Sequence, residues 1–154
     1  MIDYHITQLE KILKQPIKIL IYLNNEYVNV NFYNLTYIKN NNKGLEFKVL
    51  DNNNEIISTF KLIQMIGCCG ICVSTNTFVT HKYRNKGVNT ILNNFRIDIA
   101  KELGYGLLLC TDVSNNTAEV KTLDKNGWKH IYNFKNPRTS NKINISIKEL
   151  NNDF

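Results

Sequence analysis

Between residues 66 and 113 the hydrophobic period changes twice, and that order of periods leaves few folds open. An apolar, β-branched stretch, Ile66 to Val79, runs into a short basic turn. From Val88 onward the apolar residues Val88, Ile91, Leu92, Phe95, Ile99 and Leu103 recur every three or four positions, which traces one face of an amphipathic helix. Gly104 follows as its C-terminal stop. Gly106 to Val113 then reads as a strand, and its continuous run of three leucines and Cys110 is the pattern of a strand buried on both faces. Strand, helix, strand implies a crossover, and such crossovers are right-handed. The expectation is an α/β (α+β) domain built on a mixed sheet.

The flanks extend this reading. Leu9, Ile12 and Leu13 predict a short helix over 7–15, ended by Pro16. Strands are predicted over Ile17–Leu23, Tyr27–Ile38, Gly44–Leu50 and Glu55–Met65, separated by asparagine-rich turns, with Gly67 and Gly70 as bend or bulge positions in the stretch that follows. After Val113, Ser114 and Asn115 offer helix N-caps for a second helix over about 116–125 that shows Ala118, Val120 and Leu123 on one side and closes at Gly127. Two last strands are predicted over Trp128–Phe134 and Lys142–Leu150. The chain reads as one domain, 1–154. Its half up to residue 65 is strand-rich, and the half over 66–150 carries the functional residues.

Composition narrows the class. A 154-residue chain that is 43% hydrophobic and 21% charged can bury a core. A net charge of +6 favours a polyanionic ligand, which coenzyme phosphates, nucleic acid and an anionic surface would all satisfy. No apolar run reaches the roughly 18–20 residues of a membrane span, and Asp3 and His5 interrupt the start, so no membrane segment or signal peptide is expected and a cytoplasmic protein is. Cys68, Cys69, Cys72 and Cys110 are not spaced as a disulfide framework, and the Cys69–Cys72 pair lacks two further ligands; buried structural thiols and no metal are expected.

The basic turn is the most informative segment. Val79-Thr80-His81-Lys82-Tyr83-Arg84-Asn85-Lys86-Gly87-Val88-Asn89 lies between a strand and a helix start. Helix N-termini expose unpaired N–H groups and about half a positive charge, so such a loop suits a phosphate. Gly87 lets the backbone approach the anion, and Arg84 and Lys86 add charge.

Arg84-x-x-Gly87-x-Asn89 resembles the R/Q-x-x-G-x-G/A motif of the GCN5-related N-acetyltransferases. Asn116 through Gly127-Trp128 is similar to that family's N-x(10)-G-F/Y/W segment, in the same order and at the same spacing. The resemblance covers about Val73 to Leu150. It implies a mostly antiparallel sheet with a central splayed parallel pair and flanking helices. It also implies an N-acyltransferase that passes an acetyl or other acyl group from acyl-coenzyme A to a primary amine by direct attack, with no metal. Phe78, Val79 and Thr80 would pair with pantetheine, Arg84, Asn85, Lys86, Gly87, Val88, Asn89 and Thr90 would hold the pyrophosphate, and Asn116 would contact the cofactor. The Val79 N–H would polarise the thioester carbonyl.

Two positions depart from the family pattern. Asn89 stands where a small residue is usual, and Leu123 stands where many members carry the tyrosine that protonates the thiolate; Tyr132 is then a candidate acid. In place of a strand glutamate the chain offers Ser74, Thr75 and Asn76, so His81 and Asp112 are the candidate bases. Cys110 reads as an inert core thiol rather than an acyl carrier. Arg138, in the turn over 134–141, is a candidate contact to an acidic or phosphate-bearing acceptor. The acceptor itself, whether small molecule, protein or nucleic-acid amine, is left open, as is the choice between monomer and homodimer. Two other readings compete: a coenzyme A or nucleotide-binding protein without turnover, and a nucleic-acid-binding module using Tyr27, Phe32, Tyr33 and Tyr37.

Overall fold

The computed structural model describes residues 1–31, 34–37, 44–114 and 116–150. Alternating apolar positions and turn-forming asparagines give the strands β1 (Lys18–Leu23), β2 (Glu26–Asn29), β3 (Leu45–Leu50), β4 (Ile56–Met65) and β5 (Cys68–Val79). Helix α1 (Ile2–Leu13) precedes them. After β5 come α2 (Val88–Glu102), β6 (Leu107–Val113), α3 (Thr117–Lys125), β7 (Lys129–Lys135) and β8 (Lys142–Glu149). One sheet takes in all eight of these strands in the order β2-β1-β3-β4-β5-β6-β8-β7. Among the described residues its single parallel pair is β5 with β6, and every other neighbour is antiparallel. The expected mixed, mostly antiparallel sheet with flanking helices is the one found.

The core is anchored where α2 meets the sheet. Phe47 and Phe60 stack at 4.9 Å across β3 and β4, and Phe95 of α2 sets its edge against both, at 5.8 and 6.0 Å. All three rings are buried, and such aromatic contacts add to the burial energy. Helix α1 packs on α2 and α2 on α3. The buried His5 of α1 puts its ring edge on Phe95 and its Nε2 2.6 Å from the Asp98 carboxylate.

Several expectations need correction. Helix α1 begins at Ile2, well before residue 7, because Ile2, His5 and Leu9 form the buried face; Ile12, one of the apolar residues whose spacing predicts the helix, is exposed. The predicted strand Tyr27–Ile38 stops at Asn29. Residues 34–37 are helical instead, with the Asn31 side chain accepting from the Asn34 N–H and Leu35 buried. Phe32, Tyr33 and Ile38 lie outside the described residues. Strand β6 was expected to be buried on both faces. It alternates: Leu108, Cys110 and Asp112 are buried, whereas Leu107 and Leu109 are half-exposed and Thr111 is exposed. The N-cap of α3 is Asn116, not Ser114, and Asn115 is not described. Of the cysteines, Cys72 and Cys110 are buried, but Cys68 and Cys69 are exposed at the start of β5.

The Gly104 stop is as expected. Its φ is +87°, and the Gly104 and Tyr105 N–H groups close on Lys101 and Ala100. Gly67, at φ +84°, turns β4 into β5, and the register shift opposite Gln64 and Met65 places extra β5 residues around Gly70. The Tyr27 ring carries the Lys48 ammonium at 4.1 Å and Tyr22 at 5.0 Å, so it is occupied within the sheet.

The turn that precedes α2 is fixed from below. Tyr83 is buried, and its hydroxyl donates to Asp51 Oδ2 at 2.7 Å, while Asp51 Oδ1 accepts from the N–H groups of Asn53 and Glu55. Gln15 adds a contact from each side, donating to Tyr83 Oη and accepting from the Asn52 N–H. The Tyr83 hydroxyl, followed by the two backbone donors, holds the Asp51 carboxyl below its usual range. A lowered carboxylate stabilises the fold above its unfolded pKa and loses that contribution as pH falls through the folded pKa. Thermal melts from neutral pH down to pH 3 are therefore expected to show a steeper acid loss in the wild type than in Asp51→Asn. Parallel curves would remove Asp51 from the account.

Candidate functional site

Strands β5 and β6 pair only at Ile71 with Leu107, Cys72 with Leu108, and Val73 with Leu109. Each is held on its outer edge: β5 pairs with β4 up to Val79, and β6 pairs with β8 over all of residues 107–113. A register shift between Thr59 and Lys61, opposite Phe78 and Thr75, puts an extra residue into β5 just past the last shared pair. The two strands part there, and a wedge opens beside residues 74–79.

At the mouth of the wedge the chain turns from β5 into α2. Asn85 (φ 60°) and Gly87 (φ 84°) take the left-handed region. A Cβ on Gly87 would meet only Ile12 Cδ1 at 3.9 Å, so the constraint there is φ rather than space. The N–H groups of residues 85–90 make no backbone hydrogen bond among the described residues. Asn85 and residues 87–90 line a cavity of about 520 Å³, as do the other expected cofactor residues except Thr80 and Lys86. Thr80 is used by the sheet, bonding the Ile57 and Ile56 carbonyls through its N–H and hydroxyl, and Lys86 is exposed outside the cavity. Arg84 folds back: its Nε donates to the Val79 carbonyl at 2.8 Å, and its guanidinium lies 5.6 Å from the Phe78 ring. Lys121 and Lys125 of α3 line the same cavity. They went unnoticed in the sequence, although their four-residue spacing sets them on one helical face.

Deeper in the wedge lies a polar cavity of about 270 Å³, which shares Thr77, Asn116 and Glu119 with the first. Asp112 from β6 is 9% exposed, and neither of its carboxylate oxygens has a hydrogen-bond partner among the described residues. Burial, reinforced by the Glu119 charge, raises its pKa; Asn144 across the ladder and His130 oppose the rise without closing a hydrogen bond. Arg96 from α2 is 1% exposed, with Nε and Nη1 unpartnered among the described residues and the guanidinium 5.2 Å from the Phe60 ring. Desolvation lowers its pKa against the pull of Glu119. Glu119 Oε2 accepts from Asn89 Nδ2 at 3.0 Å, which ties the first turns of α2 and α3 together, and Asn116 caps α3 through the Glu119 N–H. Below them the buried Trp128 donates its indole N–H to Asn93 at 2.9 Å.

Of the catalytic candidates, only Asp112 reaches this cavity. His81 starts the one-turn 3₁₀ helix over 81–83 and is exposed, and Tyr132 is exposed on β7; neither lines any of the three cavities around the wedge. Leu123 does line the wedge, so no hydroxyl stands at that point. Ser74 and Thr75 line it from β5. Burial pushes the Cys110 thiol up to about 12, which leaves it protonated and unreactive at neutral pH. Arg138 sits in the exposed β7–β8 turn, apart from these cavities. A third cavity, of about 280 Å³, meets the wedge at Asp112, Leu123 and Trp128 and reaches exposed His130 and Asp124. No cluster of metal-ligating side chains occurs among the described residues. Sequence reading missed Arg96, Asn93 and Glu119; the available signal was that Asn93 and Arg96, three apart, interrupt the apolar face of α2.

No protein-family model matches the sequence, and no curated protein does. Solved structures do match in fold. The ribosomal-protein-S5-alanine acetyltransferase from Vibrio fischeri superposes with a TM-score of 0.67 at 17% identity, over 78% of this chain and 69% of that one. An IAA acetyltransferase from Bacillus cereus gives 0.64 at 15% identity, over 78% and 85%. The spermidine N-acetyltransferase from Vibrio cholerae, in complex with CoA and spermine, gives 0.63 at 13% identity, over 86% and 96%. With its splayed parallel pair, glycine-led helix and following capped helix, this chain has the fold of the GCN5-related N-acetyltransferases.

Proposed function

We propose that the protein is an N-acyltransferase that takes its acyl group from acyl-coenzyme A, acetyl-coenzyme A first among donors, and passes it to a primary amine. The observation that carries this reading is the continuity of two cavities: one is lined by Asn85 and residues 87–90, whose N–H groups have no backbone acceptor among the described residues, and the other is a polar wedge beside an unpaired stretch of β5. The first suits a pyrophosphate, with Lys121 and Lys125 supplying charge and the α2 dipole adding to it. From there the pantetheine arm can run along the unpaired edge of β5 at Thr77, Phe78 and Val79, its amides taking ladder positions that β6 leaves unfilled, and bring the thioester to the mouth of the second cavity, which is left for the amine. Fold likeness to acetyltransferases, one of them with CoA bound, supports the same assignment.

In this reading the protein acts mainly by positioning. The amine nitrogen adds to the thioester carbonyl carbon, and the Val79 N–H polarises the carbonyl oxygen. Asp112 accepts the proton that the amine gives up. Its raised pKa makes it a stronger base than an exposed aspartate, and the cavity shared with His130 gives that proton a path to solvent. The C–S bond then breaks, and the departing thiolate takes a proton from water, since Leu123 supplies none.

Two outcomes are expected. Calorimetric titration with acetyl-coenzyme A should show micromolar binding, weakened about tenfold or more by Gly87→Ala, which strains a left-handed position and shifts the N–H groups, and by Lys121→Ala with Lys125→Ala. Absence of binding by the wild type at high concentration would sink the acyltransferase reading. Asp112→Asn should lower kcat by about 10²- to 10⁴-fold and abolish the acid limb of the kcat/KM profile. A carboxyl whose pKa is raised by folding burdens the folded state as pH rises above the unfolded pKa, so the same substitution should hold or raise Tm at neutral pH. A fall in Tm together with an unchanged acid limb would make Asp112 structural.

A further inference from the structure

The wedge contains a buried cation and a buried anion that do not pair with each other. Arg96 is 1% exposed and Asp112 is 9% exposed; both line the same cavity of about 270 Å³. Among the described residues no carboxylate lies within ion-pair distance of the guanidinium, and Nε and Nη1 of Arg96 and both oxygens of Asp112 are unpartnered. Glu119, the carboxylate whose charge acts on Arg96, has one oxygen on Asn89. An unpaired buried guanidinium is costly, and packing alone would favour an apolar side chain at the Arg96 position of α2, between Leu92 and Ile99 on its buried face. The pattern of vacant partners is specific: an occupant must bring acceptors for Arg96 and donors for Asp112.

Resting on the acyltransferase reading, we propose that the acceptor is a small amine that carries its own carboxylate, an amino-acid-like zwitterion, with its carboxylate on Arg96 and its amine toward Asp112. An α-amino acid is the smallest molecule with both groups, and the cavity is of a size to hold one. The ammonium gives one proton to the Asp112 carboxylate. The resulting amine forms the N–C bond as the C–S bond breaks, its second proton leaves with solvent, and the thiolate is released as the thiol. A plain amine would leave Arg96 unmatched, and that mismatch sets the specificity.

The test compares matched pairs that differ only by the carboxylate: phenylalanine with phenethylamine, and leucine with isoamylamine. The rate is followed by loss of thioester absorbance, so that the exposed Cys68 and Cys69 do not contribute. The wild type is expected to prefer each amino acid by about 10²-fold or more in kcat/KM, and Arg96→Met to bring each pair within about threefold while acetyl-coenzyme A still binds by calorimetry. Equal rates, or preference for the decarboxylated amines, overturn the proposal and leave the acyltransferase reading standing. A preference that falls instead on the donor, succinyl- over acetyl-coenzyme A and lost in Arg96→Met, also overturns it by assigning Arg96 to the acyl chain. Calorimetry with phenylalanine or leucine alone separates the two readings: binding that depends on Arg96 supports the pocket even where acetyl-coenzyme A fails to bind. Arg96→Lys, which keeps the charge but not the planar donors, should fall between wild type and Met. It also serves where the Met variant does not fold.

Discussion

Two neighbouring strands that share only three register pairs set the terms for everything around them. A β5 bound to β4 along its length, and a β6 bound to β8 along its own, cannot both stay in register with each other once β5 takes an extra residue opposite β4. Backbone groups facing the gap then need other partners, since buried N–H and C=O groups are seldom left bare. The end of β5 finds one of them: Arg84 bonds the Val79 carbonyl. The rest of the gap is lined by side chains with polar ends, Ser74, Thr75 and Thr77, in a sheet otherwise rich in isoleucine and leucine.

Around that gap the charges are sorted by depth. The rim carries exposed Lys86 and the cavity-lining Lys121 and Lys125, together with the positive end of α2. Further in stand Glu119 and Asp112, with Arg96 beneath them. The net charge of +6 belongs to the whole chain, and the wedge has its own balance of charges. An anion is drawn to the mouth, while the floor offers a place to both a donor and an acceptor, an arrangement suited to a ligand with a polyphosphate head and to a second ligand with a nitrogen.

What the sequence made legible follows the strength of its periods. The face of α2 repeats over four turns, and its Gly87 start and Gly104 stop have local causes, so the helix and its anion loop were readable without a structure. Asn116, Gly127 and Trp128 were readable by spacing. The stretch after Tyr27 was not, because an asparagine cap at Asn31 outweighs the β-branched and aromatic residues near it, a local hydrogen bond that periodicity does not record. Arg96 was hidden for the opposite reason. A single arginine on an amphipathic helix is most simply placed at the solvent edge, and only the tertiary packing of α2 over Phe60 and the wedge turns it inward.

The single indole offers one more consequence. Trp128 is the only tryptophan in the chain, it is buried, and it lies at the wall where two cavities meet, with its N–H on Asn93 beside Arg96. Its emission therefore reports on the surroundings of the wedge. Filling the wedge, or changing the ionisation of Asp112 across it, alters the field at that ring, and excitation at the red edge of the indole band leaves the eight tyrosines dark, so occupancy of the site is written into the protein's own fluorescence without any added label.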